Sequence, residues 1–199
     1  MWDQRYARPE YVYGLEPNDF VRQSLPHLSP GGRLLCLAEG EGRNAVWLAQ
    51  QGFAVSGVDG SAVARDKALA LAASRGVSLS YIQADLAEFA LGEACWDGII
   101  SIFAHLPPAL RQRVHGACVQ ALKPGGLLVL EAYTPRQLDY GSGGPPDPAW
   151  LMSAAGLSQE LAGLTMELLE EKERTVLEGL GHTGLGHVVQ LLARRPLAD

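Results

Sequence analysis

Short apolar runs alternate with stretches of helical spacing through most of this chain. Arg33 to Ala38 (RLLCLA) is the first run, followed by a tight turn at Glu39-Gly40-Glu41-Gly42. Arg43 to Gln51 then places Ala45, Leu48 and Ala49 on one helical face, and Gly52 stands where a helix stop favours glycine. A second run from Phe53 ends at Asp59. Ser61 suits the N-cap of a helix to about Arg75, with Ala64, Ala68, Leu71 and Ala72 facing inward. Leu79 to Ala84 and Asp97 to Phe103 read as the third and fourth strands. The fourth is almost continuously apolar, as a strand covered on both faces is. Pro107 and Pro108 fit the first turn of a helix carrying Leu110, Val114, Ala117, Cys118 and Ala121 on one side. Lys123-Pro124-Gly125-Gly126 stops that helix and leads into a fifth strand, Leu127 to Tyr133.

This alternation predicts an α/β fold with a doubly wound, Rossmann-like parallel sheet. The pattern then weakens. Tyr140 to Pro148 (YGSGGPPDP) is too rich in glycine and proline for regular structure. Leu164 to Leu177 has helical propensity from its Glu, Lys and Leu content, whereas His187 to Arg194 reads as a strand. No repeat, low-complexity tract or linker divides the 199 residues, and 47% hydrophobic content supports a full core. One domain over 1–199 is expected.

Composition removes several classes of function. The formal charge is −6 and Lys/Arg runs are absent, so neither nucleic acid nor an anionic membrane is an expected partner. Without a leader or a continuous apolar span, a cytoplasmic protein is expected. The three cysteines are far apart and form no CxxC pair, which suits neither a disulfide framework nor zinc. His182 and His187 beside Glu178 lack a third ligand at metal spacing, so they read as a turn and a strand histidine and no metal is expected. Oligomeric state is not legible.

The first strand–turn–helix–strand unit carries the candidate chemistry. Asp59 ends its second strand, where a carboxylate can accept both ribose hydroxyls of an adenosine cofactor. Gly40-x-Gly42-x-x-Ala45 also fits the dinucleotide fingerprint, so the glycines alone do not choose the cofactor. Charge does more. A pyrophosphate wants amide donors with no anions nearby, yet Glu39 and Glu41 flank Gly40. S-adenosylmethionine has no phosphate, and its sulfonium and ammonium gain from nearby carboxylates. Arg43 pulls the other way, as a possible phosphate partner. The balance favours S-adenosylmethionine, with a nicotinamide-dependent oxidoreductase as the alternative.

The order of elements, the glycine turn, Asp59, Asp85 and the KPGG turn resemble the class I S-adenosylmethionine-dependent methyltransferases. LAEGEGRNAVWLA and the opening WDQRYARPEYVYGLEPNDF are similar, more narrowly, to the tellurite-resistance-type methyltransferases, related in layout to the thiopurine S-methyltransferases. SIFAHLPPALRQ, LKPGGLLVLEAYTP and EGLGHTGLGHVVQLLARRP extend the likeness over nearly the whole chain. The resemblance implies a seven-stranded sheet, mostly parallel with a C-terminal antiparallel hairpin. That puts strand six at about Thr165 to Leu177, against the helical propensity, and strand seven from His187. It also implies that residues 1–30, with Trp2, Tyr6, Tyr11 and Tyr13, form a lid, and that 135–164 is a substrate-side insertion. The family's first motif, D-x-G-x-G-x-G, aligns with Cys36, Ala38, Gly40 and Gly42, so a cysteine replaces the acid and an alanine the first glycine.

On this resemblance Ala38, Glu39, Gly40, Gly42 and Arg43 surround the methionyl part of the cofactor, with Glu39 meeting its amino group. Asp59 serves the ribose, with Gly60 and Ser61 also in the cofactor site, Asp85 and Leu86 serve the adenine, and Phe103 ends strand four. His105 is the candidate catalytic residue, as a base or an acceptor contact. Tyr13, Tyr133, Arg136 and the Tyr140–Pro146 loop are expected to wall the acceptor. The implied activity is methyl transfer to a small-molecule acceptor such as a thiol or a tellurium or selenium oxyanion. The changes at Cys36 and Ala38 leave a non-catalytic S-adenosylmethionine-binding protein as a rival.

Overall fold

The computed structural model describes residues 2–197; Met1 and the last two residues of the expected 1–199 span lie outside them. Its strands are β1 Arg33–Leu37, β2 Ala54–Asp59, β3 Ser80–Gln83, β4 Trp96–Ile102, β5 Leu122–Tyr133, β6 Thr165–Glu178 and β7 His182–Arg194. They form one seven-stranded sheet in the order β3-β2-β1-β4-β5-β7-β6. The first five run parallel, and β7 is antiparallel to both β5 and β6. This is the mostly parallel sheet with an antiparallel hairpin that the sequence predicts.

The helices are α1 Trp2–Tyr6, α2 Asp19–Ser24, α3 Arg43–Gln50, α4 Ala62–Ser74, α5 Pro108–Ala121 and α6 Ala154–Glu160. Side chains of β1 and β4 alternate between two cores, as the two-residue repeat of a strand requires. Leu35, Leu37 and Ile99 pack with Val114 and Cys118 of α5 and Leu157 of α6. Leu34, Cys36 and Ile100 pack on the opposite face with Val21 of α2 and Ala45 and Leu48 of α3. Both faces are therefore covered, and the parallel strands read as continuous apolar runs. Among the described residues, no helix is long and apolar enough to cross a membrane.

Two strand starts and three α-helices differ from the sequence reading: β5 begins at Leu122 rather than Leu127, so Lys123-Pro124-Gly125-Gly126 lies within it, while β6 is the strand that the resemblance implied and composition did not. Thr165 to Glu178 pairs with β7 from Thr165↔Arg194 to Glu178↔His182, so the helix-prone composition loses to the ladder. Helix propensities differ by under about 1 kcal/mol per residue, less than the cost of leaving the partner strand's amides unpaired. β7 also starts at His182 rather than His187. α1, α2 and α6 were not anticipated in 1–30 and 135–164; with 5, 6 and 7 residues they are too short to display a helical period.

Candidate active site

A cavity of about 1030 Å³ opens along the carboxyl ends of β1, β2 and β4, between the sheet and the segment around α1. Doubly wound sheets hold ligands at this edge, where the strand order reverses. Two non-glycine residues on its wall have left-handed backbones: Ala38 after β1 (φ 47°) and Phe103 after β4 (φ 52°). Such strain persists where the surroundings impose it, most often at functional sites. Ala38 thus adopts the conformation for which a glycine is the ordinary choice.

The turn after β1 builds an acidic end. Glu39 Oε1 accepts the Ala45 amide at 2.7 Å and so caps the start of α3, whose N-cap, Gly42, has no side chain. Burial pushes the Glu39 carboxyl up to about 7, against the Ala45 amide and the nearby Arg43 charge. Asp59 Oδ2 accepts the Gly40 amide at 3.1 Å and Oδ1 the Ser61 amide at 2.8 Å. Burial raises its pKa as well, and those amides oppose the rise. Among the described residues, neither carboxyl has an ion-pair partner. Arg43, the one cation of the turn, is committed elsewhere: it donates to Glu178 at 2.6 Å and to the Tyr13 carbonyl at 3.4 Å.

The segment 2–14 covers this end. Lys67 Nζ pairs with Glu41 and donates to the carbonyls of Arg8 at 3.0 Å and Glu10 at 2.7 Å. Glu41 Oε2 takes the Val12 amide at 2.7 Å. Ser61 Oγ donates to Asp3 Oδ1 at 2.5 Å, and the Tyr6 ring lies so close to the turn that a Cβ on Gly40 would sit 2.8 Å from its hydroxyl. Gly40 is therefore required for close approach.

Of the anticipated residues, the cavity wall includes Tyr13, Ala38, Glu39, Gly40, Arg43, Asp59, Gly60, Asp85, Leu86, Phe103 and His105. Four others lie off it. Gly42 faces α4, where a Cβ would fall 2.6 Å from Ala68 Cβ, so its role is helix packing. Ser61 caps α4 by accepting the Ala64 amide at 3.1 Å. Tyr133 is fully buried behind Phe103, with ring centroids 4.6 Å apart. Arg136 is mostly exposed and points at Glu173 and His187.

His105 is on the wall but is not placed to act as a base. Its Nε2 accepts the Tyr133 amide at 3.0 Å, so that nitrogen carries no hydrogen and Nδ1 donates to the Phe103 carbonyl at 3.1 Å. Burial holds its pKa down to about 4, against those two backbone bonds. The ring braces the left-handed turn at Phe103. Sequence reasoning missed His182 and Trp150, which join Tyr13, Phe103 and the Gly143–Pro146 loop on the cavity wall. No local signal could have found His182, because only the β6–β7 hairpin carries it there.

The acidic end fits a cationic ligand and resists a diphosphate. Glu39 occupies a helix N-terminal amide that a pyrophosphate would take, two buried carboxyls stand without cations, and Arg43 is held by Glu178. Residues 34–126 match a family described as a methyltransferase domain. An uncharacterised methyltransferase of Synechocystis is 34% identical over 105 residues; the match spans 52% of this chain and 48% of that protein, about half of each. A protein solved in work on converting a disulfide bond into a thioacetal group during echinomycin biosynthesis shares the fold. It has a TM-score of 0.77 and 23% identity over 100% of this chain and 92% of its own. An S-adenosylmethionine-dependent methyltransferase from Methanosarcina mazei does so with a TM-score of 0.67 and 18% identity over 92% and 100% of the two chains. Residues 34–126 thus resemble a methyltransferase domain, and the cofactor that this match implies is S-adenosylmethionine.

Proposed function

We propose that the whole protein transfers the methyl group of S-adenosylmethionine to a small soft nucleophile, a thiol or a tellurium or selenium oxyanion. The observation that carries this reading is the acidic pair Glu39 and Asp59, buried without cations beside an Arg43 already held by Glu178. In this reading Asp59 accepts from the ribose hydroxyls, Asp85 and the Leu86 backbone meet the adenine, and Glu39 takes the methionyl ammonium. Ala38 and Gly40 supply close backbone, and the Tyr6 lid keeps water from the sulfonium. The cofactor supplies a methyl group on a good leaving group, so the protein's task is positioning.

The cavity of about 1030 Å³ lies at the top of the roughly 300–1,000 Å³ range of small-ligand pockets, a size that suits a cofactor together with a small acceptor. At the acceptor end Tyr13, Phe103, the Gly143–Pro146 loop, Trp150 and His182 contribute no carboxylate, and Glu178 behind His182 is already paired with Arg43 and Arg174, so an ammonium acceptor would meet no unpaired counter-charge there. The free cysteines accord with a reducing, cytoplasmic setting. Calorimetric titration with S-adenosylmethionine, S-adenosylhomocysteine and NADH tests the cofactor assignment; tighter NADH binding would overturn it. Turnover of labelled cofactor with thiols and metalloid oxyanions then separates an enzyme from a protein that only binds.

A further inference from the structure

One side chain on the acceptor wall has hydrogen-bonding capacity that the fold leaves unused. His182 is 8% exposed, and its ring lies between those of Tyr13 and Phe103, with centroids 4.6 Å from each. Tyr133 stands behind it at 5.3 Å, edge to face. Of its two ring nitrogens, Nδ1 is fully buried and has no hydrogen-bond partner among the described residues. The acidic group facing Nδ1 is Glu178, whose Oε2 lies 4.0 Å away, just beyond hydrogen-bond range. A carboxylate on that side favours the tautomer with hydrogen on Nδ1, leaving the lone pair on Nε2, the nitrogen with access to the cavity.

Glu178 is itself firmly held. It accepts from Asn18 Nδ2 at 2.8 Å, Arg43 at 2.6 Å and Arg174 at 3.1 Å, and it is 6% exposed. A buried imidazole backed by a fixed carboxylate is the arrangement that orients a general base toward a nucleophile. Catalytic hydrogen bonds of this kind are often long before the substrate is in place. The neighbouring groups offer no competitor: both His105 nitrogens are bound to backbone, and the Tyr13 hydroxyl accepts from Arg5 at 3.0 Å.

We propose that His182, oriented by Glu178, accepts the proton of an uncharged small thiol at the acceptor end of the cavity. Nε2 takes the S–H proton as the acceptor sulfur bonds to the methyl carbon. That carbon's bond to the sulfonium sulfur breaks with its electron pair staying on the departing sulfur, and the proton later passes from His182 to solvent. Burial and the Arg43 charge keep the imidazole neutral, with its pKa lowered to about 3, so its lone pair is free at neutral pH. So weak a base suits a thiol better than an alcohol, because a thiol's proton is far more acidic. This inference rests on the methyltransferase reading and narrows it, since a metalloid oxyanion needs no base.

The test uses the full chain at about pH 5.5, where thiophenol is largely uncharged, with thiophenol and tellurite as acceptors, and His182→Gln and His182→Ala as variants. S-adenosylhomocysteine binding, read by calorimetry, checks the cofactor site separately; its failure in the wild type would strike the methyltransferase reading itself. The expected result is that kcat for thiophenol falls about 100-fold or more in His182→Gln, with its KM and the S-adenosylhomocysteine affinity within about threefold. Free imidazole should restore part of the activity of His182→Ala, which a packing role would not allow. In wild-type protein loaded with S-adenosylhomocysteine, thiophenol should also shift the Nε2 resonance of nitrogen-15-labelled His182. Methylation of tellurite but not thiophenol, an unchanged kcat in His182→Gln, or an unmoved Nε2 resonance would each overturn the proposal.

Discussion

Replacing Asp59 by asparagine separates two tasks that one carboxylate performs. In the fold its oxygens brace the Gly40 and Ser61 amides, at 3.1 and 2.8 Å, from a position only 9% exposed. Asparagine keeps one acceptor and turns an NH₂ toward the other amide, so one hydrogen bond to a charged group is lost. That loss is about 1.5–3 kcal/mol. Removing a buried charge offsets part of it, because burial already holds the Asp59 carboxyl above its usual range. A net loss of about 1–2 kcal/mol should lower Tm by roughly 2–8 °C for a domain of this size. If the same carboxylate also accepts the ribose hydroxyls, the cofactor loses a charge-assisted bond as well. The Kd for S-adenosylhomocysteine should then rise by about 10- to 100-fold, at 1.4 kcal/mol per decade. Scanning calorimetry reads the first quantity and isothermal titration the second. A lower Tm with a Kd within about threefold of wild type would make Asp59 a brace of the turn only.

Glu39 should make stability fall as pH rises: its carboxyl is raised on folding from 4.5 to about 7, so ionisation opposes the fold and the penalty grows through that window. Buried neutral His105 and His182 push the other way over much of this window, so the readout is the difference between proteins: the unfolding free energy of wild type relative to Glu39→Gln should fall by a few kcal/mol between about pH 4.5 and 7, and parallel pH profiles contradict the assignment. Lys67→Met removes the ammonium that pairs with Glu41 and holds the carbonyls of Arg8 and Glu10, so trypsin should cut after Arg5 about tenfold faster or more. Cleavage at the wild-type rate would show that the segment is held by other contacts. Ala38→Gly relieves a left-handed alanine at about 1–2 kcal/mol but frees the unfolded chain by about 0.4–1 kcal/mol, so stability should hold or rise slightly. Ala38→Val should lose about 2 kcal/mol or more by denaturant unfolding, and wild-type stability in that variant would refute the strain.

Features decided within a few residues were legible from the chain. The continuous apolar runs at Arg33–Leu37 and Trp96–Ile102 are strands covered on both faces, Ser61 caps α4, and Gly52 after α3 has a φ of 91°. The acidic turn was legible too, because Glu39, Gly40 and Asp59 come from one local strand–helix–strand unit. β6 was not readable from composition: its residues favour a helix individually, and its state is set by the antiparallel ladder to β7. His105 looked like a base because a sequence cannot show that the amide of Tyr133, from β5, already occupies Nε2.

Taken alone, the sequence determined the alternating strand and helix order, the glycine turn and the carboxyls that end the first strands. All of these follow from backbone geometry and nearest-neighbour chemistry. Only the tertiary structure decided that Arg43 is spent on Glu178, that Gly42 packs against α4, and that His182 joins Phe103 on the cavity wall. The physical reason is range. A side chain's free hydrogen-bonding capacity depends on what every other segment leaves unpaired around it, and that is settled only once the hairpin of β6 and β7 closes beside the lid.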